Sequence, residues 1–279
     1  MTTAADHRKA TTAGAYGAFL VEDFWSHGSA EREITQACAL ADAAKAAGVR
    51  HAIYSTLDDS RDSIKPDGRT MPLLQGRYNV PHYDAKAEAC AHFRDIGLPC
   101  TYLITSIFYE SFLGQGPVQA IAPQRAPPAP DGTPRLRLTL PMGTARMPAV
   151  AVGDIGRAVV AILKAPPERG FVGATIGLAG DRLTGEQMAD AFTRVLGVPT
   201  EYVSPSFEAF RAQDVPGAVE LGNQFQFWHD AEAAYCARRD PAEGRALVPG
   251  LLTFEDWLRA NKHRFAHLLQ PAEQRAAQA

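Results

Sequence analysis

No cysteine pair of the CxxC type occurs in this chain. Its four cysteines, Cys38, Cys90, Cys100 and Cys236, are scattered, which argues against a zinc ribbon or a dense disulfide framework and fits a reducing compartment, the cytoplasm. The histidines form no HExxH motif, so no metal is expected. No apolar run approaches the ~18 residues that span a bilayer, and the polar opening "MTTAADHRKATTA" lacks the apolar core of a signal peptide. Positive charge is not in excess either. Lys plus Arg number 28 against 31 Asp plus Glu, a net charge of −3, which excludes a polyanion binder driven by bulk charge. The two arginines of "RLRL" have no basic surroundings, so no direct nucleic-acid contact is expected. The most informative absence is the phosphate cradle. Neither GxGxxG nor GxxxxGK[ST] occurs anywhere in the chain.

What is present alternates. "AFLV" (18–21) reads as a strand buried on both faces. Residues 30–47 follow helical spacing, with Ile34, Ala37, Cys38, Ala41 and Ala44 in one stripe, Ser29 as N-cap and Gly48 as stop. Val49–Tyr54 is a second strand, and 58–80, polar with Pro and Gly, reads as a long loop. "DAKAEACAHFRDIG" is a helix ended by Gly97, and it leads into a third strand, "CTYLITSIFY" (100–109). Strand, helix, strand, helix, strand with short connections predicts an α/β fold with a parallel sheet wound by helices. The Pro- and Gly-rich stretch 114–134 marks a break, an exposed loop or lid. "RLRLTL" then alternates like a half-exposed strand, "VGDIGRAVVAILKAP" and "LTGEQMADAFTRVLG" are helices, and "GATIGLAG" is a short strand between them. Gly14 and Gly17 precede the first strand, where a dinucleotide loop would follow one, so they read as a turn into it.

Seven pieces, "GAYGAFLVEDFW", "ITQACALADAAKAAGVRHAIYSTL", "HYDAKAEACAHFRDIGLPCTYL", "FYESFL", "VGDIGRAVVAILK", "VPGAVELGNQFQFW" and "LTFEDWLRANK", stand in this order over about nine tenths of the chain. In that order the chain resembles the NmrA-like family, atypical members of the short-chain dehydrogenase/reductase superfamily, and within it the HSCARG-like redox-sensor subgroup. The resemblance implies an incomplete doubly wound Rossmann-type parallel sheet with a smaller mixed, mainly helical C-terminal lobe. A polar leader (1–13) is expected to precede a partial NAD(P)-binding domain (14–112, with 148–180 returning to it). The substrate or partner lobe would be 113–147 and 181–279. The family places three strands, two helices and the glycine-rich loop ahead of the strand at 18–21. Their absence from the sequence implies a truncated or misassigned start, or a natural short form. In either case that strand is expected to be an exposed edge through which the chain associates.

The same resemblance directs attention to Lys86. The superfamily motif is YxxxK, in which Tyr transfers the proton and Lys holds the nicotinamide ribose; here His82 stands in the tyrosine's place, as His82-x-x-x-Lys86. Lys86 is then a ribose ligand, a general base as in related isoflavone reductases, or a solvated lysine, and His82 is a proton-exchanging candidate. Ser55 stands near the superfamily's catalytic serine. Phe24, Phe108, Tyr109 and Glu110 match cofactor-contacting positions, with core packing as the competing reading of the aromatics. Glu22 and Asp23 would repel a pyrophosphate unless they point away or pair with a cation. Thr35 and Ser111 replace an expected lysine and asparagine. The stripe Phe225, Phe227 and Trp228 lines a substrate cleft or packs a core. NADP(H) is the implied cofactor, held weakly or lost. Three functions are open: a regulatory redox sensor with a protein partner, an NAD(P)H-dependent oxidoreductase on a small carbonyl or aromatic substrate, or a non-binding interaction remnant.

Overall fold

The computed structural model describes residues 14–64, 71–114 and 121–269; the polar leader, the middle of the 114–134 break and the tail from 270 lie outside them. Along the chain run β1 (Gly17–Leu20), α1 (Ala30–Ala46), β2 (His51–Thr56), α2 (Pro81–Asp95), β3 (Cys100–Ile104), β4 (Ile107–Phe108), β5 (Gln124–Ala126), β6 (Arg135–Thr139), β7 (Met147–Val150), α3 (Val152–Lys164), β8 (Thr175–Gly177), β9 (Asp181–Leu183), α4 (Gly185–Leu196), β10 (Thr200–Val203), α5 (Ala218–Asp230), α6 (Pro241–Leu247) and α7 (Phe254–Asn261), with short helical turns between them. They form two compact units. The first is Met1–Thr105, Ile155–Leu178 and Ala237–Pro249; the second is Ser106–Asp154, Ala179–Cys236 and Gly250–Ala279.

The first unit holds a four-stranded sheet, all parallel, in the order β1-β2-β3-β8. Its central strands are buried along almost their whole length because both faces are covered. On one face Ala37, Ala41 and Ala44 of α1 share a buried cluster with Ala89, Cys90 and Phe93 of α2, over Leu20, Tyr54 and Tyr102. These small side chains let the two helices lie close together. The ends of α1 follow local chemistry, as expected: the Ser29 hydroxyl accepts from the Arg32 N–H at 3.3 Å, and Gly48 takes φ +73°. Gly17 is the first residue of β1 and not part of the turn before it. A Cβ there would stand 2.5 Å from Leu163 and 2.8 Å from the His51 carbonyl oxygen, so close packing demands glycine. β1 is an edge of the sheet among the described residues, with Tyr16, Phe19 and Val21 all exposed.

Two expectations need correction. The segment 58–80 is no plain loop. It contains a helical turn, Ser60–Ser63, capped by Asp59, and an antiparallel bridge between Leu74 and Tyr78. The organiser is Asp84 at the start of α2, fully buried. Its carboxylate accepts from the Ser60 N–H (2.9 Å) and hydroxyl, the Asn79 N–H (2.9 Å) and the Val80 N–H (3.1 Å). Burial pushes its pKa up while these hydrogen bonds pull it down. Asp84→Ala orphans three buried backbone donors at ~1–3 kcal/mol each, and a loss of about 3 kcal/mol or more in urea unfolding is expected. Secondly, the apolar run 100–109 is not one strand. β3 stops at Ile104, and Ile107–Phe108 pairs with β7 in another sheet. An apolar run carries no record of which neighbour it pairs with.

The second unit has two three-stranded sheets, β10-β6-β5 and β4-β7-β9. β5 lies inside the stretch read as a break and runs antiparallel to β6. On β6, Leu136 and Leu138 are buried, while Arg135 and Arg137 each meet Glu201 of β10 at 2.6 Å. That pairing gives both arginines of "RLRL" a partner on the neighbouring strand. Phe225, Phe227 and Trp228 are all buried on α5 and pack on Phe210 and Tyr235, which is the packing reading of this stripe. Among the described residues no helix is long and apolar enough to cross a membrane.

Candidate functional site

The carboxyl ends of parallel strands are where such sheets bind ligands, and the end of β1 carries the charged residues of interest. After Leu20 the chain runs through Val21, Glu22 and Asp23 into a 3₁₀ turn, Phe24–Ser26, and then His27 and Gly28 lead to the cap of α1. Ala30 of α1 packs with Ala85 of α2 and Tyr78, which brings the first turns of both helices together. Gln75 locks this corner: its side-chain carbonyl accepts from the Ala30 N–H and its amide donates to the Gly28 carbonyl.

Lys86 sits in that corner with its side chain only 10% exposed. Its ammonium lies 2.9 Å from Glu22 Oε2, 3.3 Å from the Glu22 carbonyl oxygen and 2.6 Å from Glu33 Oε1. The two carboxylates are 1% and 0% exposed. An ammonium has three protons, and three oxygens of the chain surround this one. His27 extends the cluster. Its Nδ1 accepts from the Ser29 N–H at 3.1 Å, which places the ring proton on Nε2, 3.2 Å from Glu33 Oε2. Burial pushes the Glu22 carboxyl above its ordinary range against the pull of Lys86. The Tyr54 phenol is raised well above its range by burial and then by the Glu22 charge.

His82 is buried among rings: 5.6 Å from Phe24, 5.2 Å from Trp25 and 5.0 Å from Tyr83, centroid to centroid. Phe24 is itself buried. The structure therefore brings Phe24, His82 and Lys86 into one corner of the first unit. Phe108, Tyr109 and Glu110 belong to the second unit. There the Glu110 carboxylate accepts from the Trp257 indole N–H at 3.1 Å and the Val152 N–H at 3.0 Å, so it secures the start of α3. Tyr109 is buried against Phe254 and Trp257, and Phe108 is exposed. Ser55 is half-buried near the end of β2, and the Thr35 hydroxyl donates to the Glu31 carbonyl within α1. His263 and His267 stand four residues apart, yet the described residues contain no group of three potential metal ligands.

Glu33 and His27 are the cluster members that sequence reading missed. One signal existed for Glu33. It falls on the buried stripe of α1 with Ala30, Ala37, Ala41 and Ala44, and a charge on such a stripe needs a partner. Glu22 does pair with a cation, and that cation is the chain's own lysine. Lys86 donates to the carboxylate and the carbonyl of Glu22 and stands at ion-pair distance from Glu33, so a ribose hydroxyl here would compete with the chain's own carboxylates for it.

Comparison with known proteins sets this corner in a family. The nitrogen metabolite repression protein nmr of Neurospora crassa is 30% identical over 171 residues, 61% of this chain and 32% of that protein's length; the match thus spans about a third of it. Among solved structures, NmrA, a negative transcriptional regulator in complex with NAD, superimposes with a TM-score of 0.71 at 23% identity, covering 95% of this chain and 80% of that one. The triphenylmethane reductase of Citrobacter sp., complexed with NADP(H), gives 0.65 at 16% identity over 92% and 80%. These likenesses establish the fold, a Rossmann-type parallel sheet shared by regulators and reductases alike. The model of the NmrA-like family matches residues 5–258, nearly the whole chain, and with the parallel sheet and its helices in the family's order the protein belongs to the NmrA-like family.

Proposed function

We propose that this chain is an NmrA-like regulatory protein that acts through a protein partner, has NADP(H) as its ligand class with weak affinity, and performs no hydride chemistry. The observation that carries this is the pairing of buried Lys86 with the carboxylates of Glu22 and Glu33, with a ring-packed histidine where the superfamily's reductases carry tyrosine. The regulators nmr and NmrA, the latter also solved with NADP, support the regulatory reading and the ligand class. Sensing through thiols is disfavoured. None of the four cysteines forms a disulfide; burial pushes Cys90 and Cys38 up and Cys100 up to about 12, so these three are no ready thiolates. Cysteines without disulfides also support a cytoplasmic location.

NADPH fluorescence titration of the full chain is expected to give a Kd of about 1 mM or weaker, with no NADPH oxidation across a panel of quinones and aldehydes. Micromolar binding would overturn the weak-ligand reading, and steady turnover would replace the regulator with an oxidoreductase. For the partner, the edge position of β1 among the described residues, with Phe19 and Val21 exposed, favours pairing with a second copy of this chain. A two-fold pairing centred on Phe19 sets that ring against its symmetry mate and Gly17 against Val21. Phe19→Lys is then expected to convert a dimer to monomer in sedimentation; a parent chain already monomeric at 100 µM, on the order of weak-interface affinities, would exclude it.

A further inference from the structure

The sheet of the first unit has a second edge, β8, and beside it the chain forms a groove of about 450 Å³. Ile104, Phe171 and Leu247 form apolar walls, while Arg169, Arg238 and Glu243 contribute charge. The backbone of β8 supplies the third element. The Tyr102 N–H donates to the Ala174 carbonyl at 2.9 Å and the Leu178 N–H to the Ile104 carbonyl at 3.0 Å. Given the register Tyr102↔Thr175 and Ile104↔Gly177, alternation along a parallel ladder turns the N–H and C=O of Thr175 and Gly177 away from β3. No strand pairs with that side among the described residues.

Gly177 shows what lies where. A Cβ there would stand 1.7 Å from the Arg238 carbonyl oxygen. A strand's Cβ points out of the sheet plane, so residues 238–239 lie over the face of β8 and leave its in-plane edge open. The charge balance of the groove is positive. Arg169 stacks on the Phe171 ring at 5.3 Å and meets no carboxylate among the described residues. Arg238 is half exposed and shares Asp58 with Arg239. Against these stands the single carboxylate of Glu243.

We propose that this groove binds an extended acidic peptide segment of a partner protein, added to β8 as a fifth parallel or antiparallel strand. The outward backbone groups of Thr175 and Gly177 supply the ladder bonds. Arg169 and Arg238 meet acidic side chains of the added strand, and the apolar surface of Phe171 and Leu247 beside them meets its aliphatic groups, the recognition mode of strand addition. This goes beyond the regulatory reading by naming the chemistry of the partner and a surface away from Lys86.

Fluorescence anisotropy of a labelled octapeptide of alternating glutamate and valine, titrated with the full chain, tests it against an octapeptide of alternating lysine and valine. Binding of the acidic peptide, with none of the basic one, is expected. Thr175→Pro removes an outward donor but no bond to β3, a place where edge strands accept proline, and Arg169→Ala removes the unpaired charge. Each is expected to weaken the acidic peptide about tenfold or more. Should Thr175→Pro alter the melting profile, Arg169→Ala decides the matter alone. No binding of the acidic peptide, equal binding of both peptides, or binding unchanged in Arg169→Ala would each overturn the proposal, as would indifference to a folded Thr175→Pro.

Discussion

Lys86→Ala is expected to cost the first unit about 3–5 kcal/mol, because it leaves two buried carboxylates without their counter-ion. Glu22 and Glu33 have nowhere else to turn. Both side chains are almost wholly buried, and His27 stands at ion-pair distance from Glu33. A solvated surface pair would cost only ~0–1 kcal/mol, so urea unfolding separates the two readings by magnitude. The chemistry of the loss is also distinctive in pH. Glu22 is an acid whose folded pKa is raised above the unfolded 4.5, so the folded chain holds its proton longer than the unfolded chain. Stability therefore falls as pH rises from 4.5 through the folded value and is level above it. Removing Lys86 removes a pull toward the charged form, which widens that window. The deficit of Lys86→Ala is thus expected to be full at neutral pH and to shrink toward pH 4.5. The triple change Lys86→Met, Glu22→Gln, Glu33→Gln is expected to recover most of it, since neutral side chains of similar size carry no desolvated charge. A small, pH-independent deficit would mean that Lys86 is solvated and open to a ligand, and the regulatory reading would lose its main support.

Arg239→Ala is expected to be the other severe change, again about 3–5 kcal/mol. Its side chain is fully buried, a rare state for arginine. One edge of the guanidinium pairs with Asp58, and Nε donates to the Thr105 carbonyl at 2.8 Å. Asp58 follows β2 and Thr105 follows β3, so this one fork ties the returning segment Ala237–Pro249 to the carboxyl ends of both central strands. Arg239→Lys should rescue little, because an ammonium cannot reproduce a planar fork. Arg238 remains near Asp58, so the aspartate is not wholly abandoned; the orphaned carbonyl and the cavity make up the rest of the cost. In a double-mutant cycle with Asp58→Ala, a coupling of about 2 kcal/mol or more is expected. Strict additivity would show that the two side chains do not act together.

How far these features were legible in the sequence depends on how local their causes are. The ends of α1 could be read because caps act within four residues: Ser29 before it and Gly48 after it. The parallel sheet could be read because strands and helices alternate with connections too short for other topologies. The division of "CTYLITSIFY" between two sheets could not, since pairing depends on strands far along the chain. Nor could the order within 58–80, where a single buried carboxylate from α2 arranges the backbone of another segment. Lys86 was legible as a position and His82 as its neighbour, but neither one's surroundings were. The nearest carboxylate to the lysine on the β1 side lies 64 residues away.

The sequence by itself determined the alternation of elements, most of their ends, the family and the absence of a phosphate-binding glycine loop. Only the tertiary structure decided that Lys86 pairs with Glu22 and Glu33, that Glu110 accepts from Trp257 and Val152, that the aromatic stripe of α5 is buried, and that β8 leaves a charged groove. The physical reason is range. Hydrogen-bonded turns and hydrophobic periodicity are set by near neighbours, whereas the state of a charge is set by whatever the fold places within ~4 Å of it at low dielectric.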